Sequence, residues 1–285
     1  MQYSRLLPFL MVAIVLAIGC TSAPISSNET TPATTTSAVP PVTNLSTTLA
    51  RFTTDTNATL QQIDSKVATA ATDLGRTGIT GPEANTTLAW LAASSPDTAD
   101  AVTMDPQGRI AAAMPEEYWG AVGADVSNES HNQEALREKK PQMTPVFAAV
   151  EGFDAAGIRR PVTNGTGAFL GLVEAVFKPK MLLGDSANRS LNGTNFTAWA
   201  IDTSGLLLYD QDGEELVSHN ILTDPIFGDY PELRALAERI VVEPTGSGTY
   251  TFNSSGGGPA VTKDAVWGTA GIHRAEWRLV VAREV

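Results

Sequence analysis

Two short stretches of the sequence share one pattern, and this repeat constrains the fold more than any other feature. Residues 101–113 read AVTMDPQGRIAAA, and residues 198–212 read AWAIDTSGLLLYDQD. Each is an apolar run, an Asp-x-x-Gly turn and a second apolar run, as two antiparallel strands with a tight turn require. The turn aspartates, Asp105 and Asp202, are 202 − 105 = 97 residues apart, about the length of a small domain. The sequence therefore predicts two similar α+β modules in tandem.

The segments around the hairpins predict the remaining architecture. A Ser/Thr/Pro-rich stretch at 20–43 predicts an extended stalk, and apolar or small residues spaced by threes and fours predict a long helix over 44–80. The first module then covers 81–178 and the second module 179–285, each expected to be an antiparallel sheet with flanking helices. The apolar stripe of the helix at 45–75 either packs on its own chain or meets a parallel partner helix in a homodimer.

The N-terminus carries the features of a secretory signal. Arg5 precedes an uncharged apolar run, and Gly19 stands before Cys20, the single Cys of the chain. We interpret 1–19 as a signal peptide and Cys20 as a lipidation site that anchors the protein on the outer face of the cytoplasmic membrane or the cell surface. The match to a lipobox is imperfect, because Ala17 stands where Leu is usual; Cys20 as an incidental residue of the signal is the alternative.

Asparagine usage points to the same compartment. Ten of the twelve Asn begin N-x-S/T, whereas roughly two matches are expected by chance for a motif of this kind. This excess predicts a glycoprotein exposed outside the cytoplasm. The predicted acceptors are Asn28, Asn44, Asn57, Asn85, Asn128, Asn164, Asn188, Asn192, Asn195 and Asn253.

Several functional classes are disfavoured. The formal net charge of −12 opposes nucleic-acid binding. No G-x-S-x-G, H-E-x-x-H or P-loop string occurs, and the three His are dispersed. The sequence therefore predicts no enzyme, no metal site and no cofactor.

Many short matches in a fixed order resemble the double Cache domain, the PAS-like extracytoplasmic sensor domain of chemoreceptors and receptor kinases. They are P-E-E-Y-W, G-A-D-V-S, K-K-P-Q-M-T-P-V-F, I-R-R-P-V and G-A-F-L-G-L-V in the first module, and I-D-T-S-G, T-D-P and G-S-G-T-Y in the second. The resemblance covers 45–285. It implies that the first, membrane-distal module binds a small molecule and that the second, membrane-proximal module passes the change toward the membrane.

The amino-acid-binding branch of that family places Arg, a Trp-Tyr pair and Asp around its pocket. This sequence has N-E-S-H-N-Q-E-A-L-R-E at 128–138, and Val176 where the Asp is expected. The resemblance therefore does not predict an α-amino-acid ligand.

Polar and aromatic residues of the first module supply the candidate ligand-binding set. Strand alternation sends one of Arg159 and Arg160 inward, and a buried Arg favours a carboxylate or phosphate ligand. Glu174 lies either on an exposed face or inward, as a ligand contact or an Arg partner. The predicted set is Tyr118, Trp119, His131, Asn132, Phe147, Arg159 and Glu174. Core packing for the two adjacent aromatics and simple solvation for the imidazole are the alternatives.

We therefore expect a membrane-anchored extracytoplasmic sensor module that binds a small molecule, has no signalling domain of its own and acts through a membrane receptor. A solute-capturing lipoprotein that serves a transporter is one alternative. A structural surface glycoprotein whose Cache-like modules hold no ligand is another. A polar cleft in the first module favours binding, and a closed apolar one favours the structural role.

Overall fold

One long helix supports both modules. The computed structural model describes residues 44–150, 152–213, 216–253 and 259–285, without the side chain of Asn253. The predicted signal peptide, the stalk, Cys20 and Asn28 lie outside these residues. Helix α1 (Leu45–Thr77) begins where the Thr47 N–H donates to Asn44 Oδ1 at 2.8 Å, and it ends at Gly78, whose φ is 95°.

The apolar stripe of α1 is buried within its own chain. Phe52, Leu60, Val67 and Leu74 are fully buried, and α1 packs against both sheets of the protein. This is the first of the two packing alternatives that the stripe allowed. Helix α2 (Pro82–Ala93) begins at a proline, whose fixed φ suits the first turn of a helix, and it packs on α1.

The first module contains a six-stranded sheet. Its strands are β1 (Thr98–Met104), β2 (Ile110–Met114), β3 (Gln142–Met143), β4 (Phe147–Ala148), β5 (Asp154–Thr163) and β6 (Phe169–Phe177). Their order is β2-β1-β6-β5-β3, with β4 also paired to β5, and every pairing is antiparallel. Helix α3 (Ser130–Glu138) lies between β2 and β3 in the chain.

The second module repeats this order. Helix α4 (Pro179–Leu191) leads to β7 (Thr197–Asp202) and β8 (Leu207–Asp210), and α5 (Pro231–Val242) leads to β9 (Gly246–Asn253), β10 (Ala260–Ile272) and β11 (Ala275–Glu284). The sheet order is β8-β7-β11-β10-β9. The predicted fold class, a long helix followed by two antiparallel α+β modules, is confirmed.

Both repeated hairpins close by the same side-chain chemistry. Asp105 Oδ1 accepts hydrogen bonds from the N–H groups of Gln107 and Arg109 at 2.8 and 2.9 Å. Asp202 Oδ1 accepts from Ser204 and Leu206 at 2.8 and 3.0 Å. Because each aspartate accepts hydrogen bonds from two amides of its own turn, both hairpins could be predicted from the sequence.

Helix α3 begins later than its sequence predicts. Ser127 and Asn128 are residue types that favour an N-cap and predict a start at one of them, but the N-cap is Glu129, with no side-chain cap bond. The Ser127 hydroxyl and N–H both donate to Asp125 Oδ1, at 2.6 and 3.1 Å. The serine is therefore engaged in the preceding turn, and the helix begins later.

A carboxylate on α1 joins the two modules. Asp64 accepts two hydrogen bonds from Arg160 of β5, at 2.9 and 2.7 Å, and His273 in the β10–β11 turn lies with Nε2 2.8 Å from Asp64 Oδ1. Burial by itself would raise the pKa of Asp64, but hydrogen bonds and charge from Arg160 and His273 lower the pKa overall. We call these three residues the Asp64 junction.

The predicted glycosylation acceptors differ in exposure. Within the described residues, five are exposed, namely Asn44, Asn128, Asn188, Asn192 and Asn195, and three are half-buried, namely Asn57, Asn85 and Asn164. Separately, the helices of the described ranges include none with the length and hydropathy of a membrane span.

Candidate ligand-binding site

The candidate site lies on the face of the first sheet that points away from α1. Val102 and Met104 of β1, with Glu174 and Val176 of β6, form its floor, and α3 and β4 cover it. These elements enclose a cavity of about 40 Å³, which we call the first-module cavity. It is lined by Val102, Met104, Ile110, Val126, Glu129, His131, Asn132, Phe147, Ala148, Val150, Glu174 and Val176.

A buried ion pair fixes the polar end of the cavity. Arg159 is 0% exposed and Glu174 is 6% exposed, and Arg159 Nε lies 3.7 Å from Glu174 Oε2. Arg159 Nη1 donates to Asn132 Oδ1 at 2.6 Å. Gly157 makes room for this arrangement, because a Cβ there would overlap the Glu174 carboxylate. Arg159 therefore stands behind the lining residues, with its charge directed at the protein's own groups.

The first turn of α3 brings a second carboxylate to the cavity. Asn132 Nδ2 donates to Glu129 Oε2 and to the Val126 carbonyl, at 3.0 Å each. His131 Nε2 lies 3.1 Å from the same Glu129 oxygen. Burial raises the pKa of Glu129, although the charge of Arg159 acts in the opposite direction.

His131 is an uncharged member of the wall at neutral pH. Burial, with a smaller contribution from the Arg159 charge, lowers the pKa of His131 to about 4. Its ring stacks on Phe147 of β4, with centroids 5.0 Å apart and planes inclined by 30°. The stack links the helix that covers the cavity to the strand beside it.

The predicted site residues divide into three groups. His131, Asn132, Phe147 and Glu174 line the cavity. Arg159 supports it from behind, and its neighbour Arg160 points to α1, as strand alternation requires.

Tyr118 and Trp119 lie elsewhere, in a 3-10 helix at Glu116–Ala121. The Tyr118 ring meets Phe153 edge-on at 6.3 Å, while Trp119 is 48% exposed. Neither aromatic lines the first-module cavity.

Glu129 is the functional candidate that the sequence did not reveal. Its signal was its spacing of three from Asn132, which puts both side chains on one side of a first helical turn.

The charge balance of the cavity favours a cation. The set holds two acidic side chains, Glu129 and Glu174, against one guanidinium, that of Arg159, and His131 is neutral at neutral pH. Acidic groups therefore outnumber basic groups in a poorly solvated place, where Coulomb interactions are strong. In the described part of the chain no group of three or more His, Cys, Asp or Glu is arranged to hold a metal ion.

A second, larger space lies between the modules. This intermodule cleft has a volume of about 580 Å³, within the ~300–1,000 Å³ typical of small-molecule sites. Its first-module wall includes His131, Glu134, Thr144 and Arg159, and its second-module wall includes Asp202, His273, Arg274 and Trp277. His131 lines both spaces.

Comparison with known proteins identifies the fold. Residues 58–179 match the family model described as HK/GC/Chemotaxis protein-like, sensor domain. A search of curated protein sequences finds no match. Among solved structures, an extracellular ligand binding receptor from Desulfohalobium retbaense DSM5692 is 24% identical with a TM-score of 0.69, over 82% of this chain and 39% of that one. This chain therefore spans well under half the length of that receptor.

Two chemoreceptor domains are also similar in fold. The ligand-binding domain of Pseudomonas fluorescens CtaA, in complex with L-alanine, is 14% identical with a TM-score of 0.59, covering 83% of this chain and 93% of that one. That of Pseudomonas aeruginosa PctB, in complex with L-Gln, is 15% identical with a TM-score of 0.56, covering 84% and 88%. The chain has the double-Cache, PAS-like fold of extracellular sensor domains.

Proposed function

We propose that this chain is an extracytoplasmic sensor module that binds a small molecule in the first-module cavity and that the recognised group is an amine. The observation that carries the proposal is the pair of carboxylates, Glu129 and Glu174, that line the cavity while Arg159 is turned to protein partners. An ammonium ion placed there would offset the excess of acidic groups and could donate to several acceptors at once.

The neighbouring structures support this assignment. The L-alanine and L-glutamine named in the CtaA and PctB complexes each carry an ammonium group. The carboxylate ligand expected from a buried Arg has less support, because Arg159 is not among the residues that line the first-module cavity and its Nη1 donates to Asn132. An amine without a carboxylate therefore fits the lining residues best.

Calorimetry on the full chain tests this function. Ammonium and methylammonium chloride should bind, and acetate should not. Glu174→Gln and Glu129→Gln should each weaken methylammonium binding at least tenfold. Glu116→Gln, which changes an exposed carboxylate of the same module outside the cavity, should bind like the wild type. Binding of acetate, with no binding of either ammonium ion, would overturn the amine assignment.

Attachment to the membrane is a separate part of the proposal. The signal-like segment and Cys20 support a lipid-anchored protein on the outer face of the cytoplasmic membrane. Cys20→Ser should release the protein from the membrane fraction or leave it unprocessed. A mutant that stays lipid-bound at the wild-type level would exclude Cys20 as the anchor.

A further inference from the structure

One wall separates the first-module cavity from the intermodule cleft. It consists of the start of α3 and the segment that contains β4. Along this segment Pro145 and Val146 line the cleft, whereas Phe147 and Ala148 line the cavity. His131 lines both spaces, so the two volumes are adjacent at the stacked rings.

Because the cavity is small and the cleft is large, the wall between them limits the size of the ligand. The cavity has a volume of only about 40 Å³, which suits a small head group such as ammonium or methylammonium. The cleft beyond the wall has about 580 Å³, which is enough for an alkyl chain.

The wall depends on few contacts. β4 is paired to β5 through Phe147 with Ala155 and Ala148 with Asp154 only, and its contact with α3 includes the His131–Phe147 ring stack. The His131 side chain is 14% exposed. Removing the Phe147 ring opens this side of the cavity without touching either carboxylate, whereas removing the His131 ring also takes away the contact between His131 Nε2 and Glu129 Oε2.

We propose that the stacked pair His131–Phe147 is the specificity determinant of the site: it restricts the cavity to a small amine, and its loss joins the cavity to the intermodule cleft, so that longer amines bind. This inference rests on the proposed amine function. It adds a size limit, and it assigns the cleft as the space that a longer ligand would occupy.

A series of n-alkylammonium chlorides tests the size limit by calorimetry on the full chain. For the wild type, the Kd should rise at least tenfold from methylammonium to n-butylammonium. For His131→Ala and Phe147→Ala this ratio should fall at least tenfold, with n-butylammonium gaining affinity. Trp119→Ala and His219→Ala remove a matched ring outside both spaces and should keep the wild-type ratio.

The outcomes are distinguishable. If n-butylammonium binds the wild type as tightly as methylammonium, or if the ratio is unchanged in the ring variants, the size limit is overturned and the amine function stands. If no ammonium ion binds any of the proteins, the amine function itself fails and the size limit fails with it. Phe147→Leu, a milder truncation, supplies the same measurement should an alanine variant not fold.

Discussion

Trp267 of the second module occupies the position that Arg159 has in the first. Arg159 lies two strands away from Val102, and Trp267 lies two strands away from Trp199, in the same register. Val102 and Trp199 are 199 − 102 = 97 residues apart, the same separation as the hairpin aspartates. Val102, Glu174 and Arg159 of the first sheet therefore correspond to Trp199, Val280 and Trp267 of the second.

The side chains at these corresponding positions differ in polarity between the two modules. Where the first module has the Arg159–Glu174 pair, the second has Trp267 opposite Val280. Trp267 is 1% exposed and packs against Gly246, where any Cβ would overlap the indole ring. The second module thus has a large apolar side chain at the position where the first module has a buried arginine.

The ion pair itself can be tested by unfolding in urea. Arg159→Ala should cost about 3–5 kcal/mol, because it leaves Glu174 buried without the guanidinium. The double variant Arg159→Leu with Glu174→Val, which copies the apolar character of the second module, should recover more than half of that loss. Arg137→Ala removes an exposed partner of Glu138 at 3.9 Å and should cost less than about 1 kcal/mol. A double variant no more stable than Arg159→Ala would show that packing, not charge, dominates here.

The Asp64 junction should contribute far more than other ion pairs of α1. Asp64→Ala removes charge-assisted hydrogen bonds to Arg160 and His273, and a loss of about 2–3 kcal/mol in unfolding free energy is expected. Asp55→Ala on the same helix removes an exposed pair with Arg189 at 3.4 Å and should cost below about 1 kcal/mol. Equal losses of unfolding free energy in the two variants would mean that the junction stabilises the fold no more than an exposed ion pair does.

Asp210 should make the protein less stable as the pH rises. Burial raises the pKa of Asp210 to about 6, so between about pH 4 and pH 6 the folded state binds more protons than the unfolded state. Stability is therefore lost as the pH rises through this window, by up to about 3 kcal/mol.

The variant Asp210→Asn isolates this effect. It should be more stable than the wild type at pH 7.5 and similar to it at pH 4. Asp229→Asn, at an exposed carboxylate of the same module, should follow the wild type at both values. If Asp210→Asn lowers stability at pH 7.5, the carboxylate is instead needed for its turn bonds.

His131 should make the protein less stable as the pH falls. Its pKa in the folded protein is about 4, whereas an unfolded His has a pKa near 6.5. The unfolded state thus binds the extra proton, and stability falls as the pH drops from about 6.5 to about 4. Proton NMR of the ring should show no titration of His131 above pH 5, and His131→Gln should remove this acid sensitivity. A ring that titrates near pH 6.5 would contradict the burial of His131 in the wall.

The features that could be predicted from the sequence are those fixed by contacts between residues close together in the chain. The two hairpins were predictable because Asp105 and Asp202 satisfy the amides of their own turns. Strand alternation predicted that only one of Arg159 and Arg160 points toward the cavity side of the sheet, and the structure shows that it is Arg159, since Arg160 pairs with Asp64 of α1. The position of Trp119 was not predictable, since the direction of a short 3-10 helix depends on distant packing rather than on its own residues.

The cavity itself could not be derived from the sequence. Its lining combines β1, β6, α3 and β4, whose approach is set by tertiary contacts such as Gly157 beneath Glu174. Glu129 was missed for this reason, although it is one of the two carboxylates on which the proposed amine site depends.

The Asp64 junction should also constrain which substitutions occur together in related sequences. Asp64, Arg160 and His273 are separated by 96 and 209 residues in the chain, yet a change in any one of them leaves charge or hydrogen-bonding capacity without its partner in the other two. Such positions are expected to be retained or replaced as a set when related sequences diverge. A lineage that loses the helix aspartate should therefore also have replaced the arginine and the turn histidine, even though the latter two belong to different modules.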